Sequence, residues 1–178
     1  MSSRSLSSWR TNAPDLIRTG LYAGLAGGLA EIVVVWAYSA FTSGDAAMVA
    51  RQVGAAIGLD ATSVIAGIAI HLGLAAALGL SLTVALRSLA GRDAGGYVLP
   101  VFMIGSLAIV WMINFFILLP MVSPGFAHLL PYPVTLASKL LFGLAAAATL
   151  HIRSRRLPLG PWVQQTTTAA RPAGPSAA

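Results

Sequence analysis

The chain has 178 residues, 57% of them hydrophobic and 9% charged, with no cysteine and a formal net charge of +6. A soluble domain carries about a quarter charged residues, so this chain cannot cover a water-facing surface, and its main solvent is lipid. The missing cysteines exclude disulfides, thiolate metal sites and cysteine nucleophiles. The arginines cluster mostly toward the two termini, which reads as a topology signal before it reads as a nucleic-acid surface.

Residues 1–19 are polar, Ser-rich and basic, and read as a flexible arm. The first apolar run is 20–41, about 22 residues, enough to cross a hydrocarbon core of roughly 30 Å at about 1.5 Å per residue. It exceeds the usual signal-peptide core of about 7–15 residues, and Glu31 sits in its middle. Residues 44–58 differ in kind. Val49, Val53 and Ile57 recur every four residues with Ala46 and Ala50 beside them, while Asp45, Arg51 and Gln52 fall elsewhere on the wheel. That pattern predicts a short amphipathic helix lying in the interface, capped by Ser43 or Asp45. A helical linker with no role of its own reads equally well.

The second span covers 61–85, with Asp60, Thr62 or Ser63 as candidate caps, and Gly91 suits a C-cap in the turn that follows. The third covers 97–119, with Pro120 marking its end. Residues 120–133 hold four prolines and no formal charge, along with Phe126, His128 and Tyr132. This loop is expected to pack on the membrane surface or fold back into the mouth of the bundle. The fourth span covers 134–152, and the tail 153–178 is basic and then disordered. The fold class is an all-α membrane protein: four transmembrane helices in a compact bundle plus one short interfacial amphipathic helix.

Orientation follows from the cations beside the spans. Arg4, Arg10, Arg18, Arg87, Arg92, Arg153, Arg155 and Arg156 share one side if there are four crossings, and the other side has only Arg51. Eight against one places both termini in the cytoplasm. Tyr22, Trp36, Tyr38, Tyr97 and Tyr132 fall near span ends, where aromatic belts lie. Small residues four apart mark helix-packing faces: Gly20, Gly24 and Gly28 in span one, Gly73, Ala77 and Ser81 in span two, Gly143 and Ala147 in span four. Such faces serve a bundle, a homodimer or a larger membrane-protein partner alike.

Four strongly polar side chains fall inside the spans: Glu31, His71, Asn114 and Lys139. A charge at mid-bilayer costs about 2.5–3.5 kcal/mol on insertion scales, so these groups should face protein or water. Glu31 follows Gly24, Gly27 and Gly28 at helical spacing and should point inward; the spacing of His71 leaves its facing open. Counted from the outer span ends, Glu31 and His71 lie roughly 15 Å deep, and Asn114 and Lys139 roughly 9 Å. A lysine stem of about 6 Å lets Lys139 reach Glu31 or snorkel outward. A buried Glu31–His71 or Glu31–Lys139 pair would fix helix register. The same residues would also suit a proton or ion path, since carboxylate and imidazole can trade a proton near neutral pH, or a small polar pocket. His71, His128 and His151 fall at three different levels, so no metal or haem site is expected, and no nucleophile–base constellation can be assembled.

Three segments together carry a resemblance: YAGLAGGLAEIVVVWAY in span one, VARQVGAAIG with AIHLGLAAALG after it, and NFFILLPMVSPGFAHLLPYPVTLASKLLFGLAAA across spans three and four. They resemble a group of small, uncharacterised bacterial four-helix inner-membrane proteins, and the arrangement is loosely similar to the YagU family. The likeness covers roughly residues 20–150, and Glu31, His71, Asn114, His128, Pro131 and Lys139 fit its pattern. It implies a bacterial inner membrane and supplies no activity. The leading expectation is a non-enzymatic accessory or assembly component in contact with membrane lipid. Its partner would be a larger membrane protein, docking on Phe126 and Leu129, and neither cofactor nor nucleic acid is expected. The alternatives are a minimal homodimeric transporter or proton-handling protein built on the polar cluster, and third an intramembrane cofactor or metal binder.

Overall fold

A computed structural model describes residues 13–42, 44–58, 63–90 and 97–156. The helices are α1 (Ala13–Phe41), α2 (Ala46–Ala55), α3 (Val64–Ala90), α4 (Val98–Ile113), a π turn (Asn114–Leu118), the short α5 (Leu119–Val122) and α6 (Pro124–Ala127), and α7 (Tyr132–Arg156). Four stretches are long and apolar enough to span a membrane: α1, α3, the run Val98–Val122, and α7. The chain is a multi-pass membrane protein of helical-bundle fold. Its outward side chains agree, since Val33, Ile65, Leu74, Val101, Ile109 and Leu144 are all exposed along the spans. In water such a surface would be an aggregation site; in hydrocarbon it costs nothing.

Element ends follow local chemistry. The first helix begins at Ala13, earlier than Gly20, because Pro14 suits a first turn and Asp15 complements the positive helix end. Asp45 caps α2: its Oδ1 accepts from the Ala47 N–H at 2.8 Å, and its Oδ2 pairs with Arg51 at 2.9 Å. Ser63 opens α3, its hydroxyl accepting from the Ala66 N–H at 3.1 Å. The other candidate caps, Ser43, Asp60, Thr62 and Gly91, lie outside the described residues, as do residues 1–12 of the N-terminal arm and the tail from 157, while residues 13–19, expected in the flexible arm, are helical.

Pro120 does not end the third span. The helix continues to Val122 through the π turn, where the Leu119 N–H bonds to Asn114 O instead of the carbonyl four back. A proline ring clashes with the carbonyl four residues before it, and one wide turn relieves that clash without breaking the helix.

In the bundle, α1 packs along both α3 and α7, and α7 along α4, while α3 and α4 scarcely meet. Lipid supplies no hydrophobic drive for helix association, so close van der Waals approach must do it. Gly20, Gly24 and Gly28 provide that approach. A Cβ at Gly24 would meet Ala75 O and Ala76 Cα, one at Gly20 would meet Leu80 Cα at 2.8 Å, and one at Gly28 the Ala75 methyl at 2.6 Å. On α3 the expected face of Gly73, Ala77 and Ser81 is corrected. A Cβ on Gly73 meets nothing within 4 Å, and the packed face is instead Ala75, Ala76, Gly79 and Thr83. Gly143 lets α7 approach α4 at Met103 and Ile104, with 3.1 Å from its virtual Cβ to Ile104 Cα.

The core occupies one half of the bundle. Leu86, Leu99, Met103, Leu107, Ala146 and Leu150 fill it, and Phe142 seals its upper edge with its ring seated on Gly27. Beyond Phe142, toward the α2 end, the helices splay and leave a cavity.

Candidate functional site

The cavity measures about 460 Å³ and lies between the splayed halves of α3 and α4, against α1 and α7. Volumes of about 300–1,000 Å³ hold small ligands. Phe142 is its floor. Its cover has two parts. One is α2 with the turn after it, whose apolar side chains (Ala46, Val49, Ala50 and Val53 of the helix and Ile57 of the turn) line the space. The other is the loop after Pro120, whose Phe126, Leu129 and Leu130 also line it. The amphipathic helix therefore turns its apolar stripe toward protein and keeps Asp45 and Arg51 outside. Gly67 of α3 makes this possible, because any Cβ there would collide with the Ala50 carbonyl.

Beside the floor sit three of the four intramembrane polar residues. Glu31 is 4% exposed. Lys139 Nζ lies 2.6 Å from Glu31 Oε1, and His71 Nε2 lies 3.6 Å from Glu31 Oε2. The same His71 nitrogen is 3.2 Å from the Gly28 carbonyl oxygen. A carbonyl only accepts, so Nε2–H donates. The Lys139 ammonium also stands 5.9 Å from the Phe142 ring centroid, a cation–π approach. The two expected depths thus merge. Gly27 seats the Phe142 ring, so Glu31, one turn beyond Gly27, and Lys139, one turn before Phe142, stand at one level. Desolvating either charge alone costs several kcal/mol, and the short pair offsets much of that cost.

Asn114 lines the same cavity but does not join the triad, and its side-chain amide has no hydrogen-bond partner among the described residues. The outer-loop residues divide. His128 is exposed. Phe126 and Leu129 line the cavity, so a docking surface built on them would have to turn them outward first. Tyr132 stands in an aromatic cluster with Trp111, Phe115 and Phe116, ring centroids 5.5–6.2 Å from its own.

Two features escaped sequence reading. One is a hydrogen-bonded ladder joining α4 to α7: Trp111 Nε1 donates to Thr135 Oγ1 at 2.9 Å, Thr135 to Tyr132 O at 3.0 Å, and Ser138 to Thr135 O at 2.8 Å. Trp111, Phe115 and Phe116 one turn apart were its available signal. The other is Phe142 as a floor, whose only signal was a lone aromatic in a Gly/Ala-rich helix. Among the described residues no three His, Cys, Asp or Glu gather into a metal-binding group. Chemically, the site is a greasy chamber with a charge-neutral polar spot beside its floor. Comparison with family models, curated proteins and solved structures finds no match for the chain.

Proposed function

We propose that this is a non-enzymatic bacterial inner-membrane protein, both termini cytoplasmic, that holds a lipophilic molecule in the cavity beneath α2. The observation that carries the reading is the cavity itself: about 460 Å³, walled by aliphatic and aromatic side chains, with polar groups gathered beside its floor. Small-molecule sites have this composition, mostly apolar with a few convergent polar groups. Leu74 on α3 and Leu118 in the π turn that follows α4 both line the space and are about half exposed, at 60% and 49%. They flank the gap between two helices that barely touch, which gives a side door to the lipid. The arginine bias supports the orientation, and the likeness to small bacterial four-helix proteins supports the membrane.

A through-going proton or ion path fits less well. It needs polar groups toward both faces, and below the triad lie Phe142 and Met103, both 0% exposed. The Glu31 carboxylate is moreover already engaged by Lys139.

Native mass spectrometry of the gently detergent-extracted protein tests the reading. The expected spectrum carries one small lipophilic adduct per chain, and Val53→Trp, which fills the chamber from α2, removes it. A bare chain mass, unchanged on adding lipid extract, would count against a binding site.

A further inference from the structure

We infer that the cavity selects a single-chain lipophile with an uncharged, hydrogen-bonding head, such as a long-chain alcohol, the head meeting the Glu31–Lys139 pair beside the floor. This rests on the reading of the cavity as a binding site and adds the chemistry of its occupant.

Three lines of argument converge. The first is charge. Glu31 and Lys139 cancel at 2.6 Å, and the His71 Nε2–H is taken up by the Gly28 carbonyl. A carboxylate head would lie beside Glu31 and an ammonium head beside Lys139, each next to a like charge. Either would also give up its hydration well inside the membrane, a loss an uncharged head largely avoids.

The second is hydrogen-bond capacity. Thr135 and Ser138 hydroxyls already donate to backbone carbonyls, and His71 donates to Gly28. An ammonium has three N–H donors, and Glu31 is one oxygen partner. The Asn114 amide also lines the chamber with no bonded partner among the described residues, but it stands level with Tyr132, about two turns nearer the α2 end. The capacity left open beside the floor is therefore donors on Lys139 and acceptor lone pairs on Glu31 and Ser138, which suits a hydroxyl that both donates and accepts.

The third is shape. A space of 460 Å³ with one polar end suits a single chain, and the side door at Leu74 and Leu118 lets such a chain enter from the bilayer.

The test offers the purified protein, in nonionic detergent, an equimolar mixture of hexadecanol, palmitate and hexadecylammonium, and reads adducts by native mass spectrometry. Hexadecanol should exceed each charged probe by at least about tenfold. Glu31→Gln leaves a net positive spot and should turn the preference to palmitate; Lys139→Gln should turn it to hexadecylammonium. Ser138→Ala keeps the charges and the chamber but removes an acceptor beside the floor, and should weaken hexadecanol about tenfold at an unchanged thermal midpoint. Adducts without head-group preference, or a wild-type preference for palmitate, overturn this inference while leaving the binding site standing. Adducts of no probe, or adducts that Val53→Trp does not reduce, overturn the binding site and this inference together. Should the charge variants fail to fold, the wild-type preference and Ser138→Ala decide it.

Discussion

Glu31 and Lys139 meet 2.6 Å apart with side chains only 6% and 16% exposed, so neither has water to fall back on. Removing one partner from a buried pair costs about 3–5 kcal/mol, while replacing both with apolar side chains is often neutral. Glu31→Met and Lys139→Met should each lower the thermal midpoint in detergent, and the double variant should recover most of the loss. A double variant no more stable than its worse parent would mean that the two residues act independently. The sequence made this pair legible, because a charge inside an apolar span has to find company. It did not say which company. Glu31 had His71 at its own depth and Lys139 a turn away by residue counting, which cannot see that the Phe142 ring seated on Gly27 sets Lys139 level with Glu31. Only the packed geometry shows the lysine making the close contact and the histidine dividing itself between Glu31 and Gly28.

At the scale of helices, the glycines of α1 and α3 are not equivalent. A side chain at Gly24 has to displace the α3 backbone, whereas one at Gly73 enters open space. Gly24→Val should therefore abolish accumulation of folded protein, and Gly73→Val should shift the thermal midpoint by no more than surface substitutions do, about 0.5 kcal/mol. Equal effects would refute the assignment of the packed face. The α1 face was readable because its glycines contrast with Leu25, Leu29 and Val33. On α3 small residues occur all round the helix, as Gly73, Ala75, Ala76, Ala77, Gly79 and Ser81 show, so periodicity alone does not choose a side. A similar ambiguity hid the partner of α2. Its apolar stripe was plain, but a stripe that faces lipid and one that faces a chamber look alike in sequence. Gly67 decides between them by admitting the Ala50 backbone. Gly67→Val should push α2 away and expose the chamber. Hydrogen exchange across Ala46–Ala55 should then rise while that of α1 and α7 stays as in the parent; unchanged exchange in α2 would show that it does not depend on this contact.

At the scale of the molecule, the bundle is tight where its core lies, around Leu86, Leu99 and Leu150, and hollow toward α2. Which face of the membrane the hollow half points to is a matter of charge, not of packing. Eight arginines flank the ends opposite α2, against Arg51 beside it. Arg51 is moreover paired with Asp45, which leaves that side close to neutral. Cations beside spans are retained in the cytoplasm, so α2 and the loop carrying His128 should lie outside. The absence of cysteine makes this directly measurable, because any thiol introduced is the only one. His128→Cys replaces an exposed side chain on the α2 side. Ala94→Cys falls in the connection between α3 and α4. A membrane-impermeant maleimide added to intact cells that express the protein in the inner membrane, with the outer membrane permeabilised, should label the first and spare the second. Breaking the inner membrane should then label both. Labelling of Ala94→Cys in intact cells would invert the topology, and the hollow half with its side door would then face the inner leaflet of the same membrane.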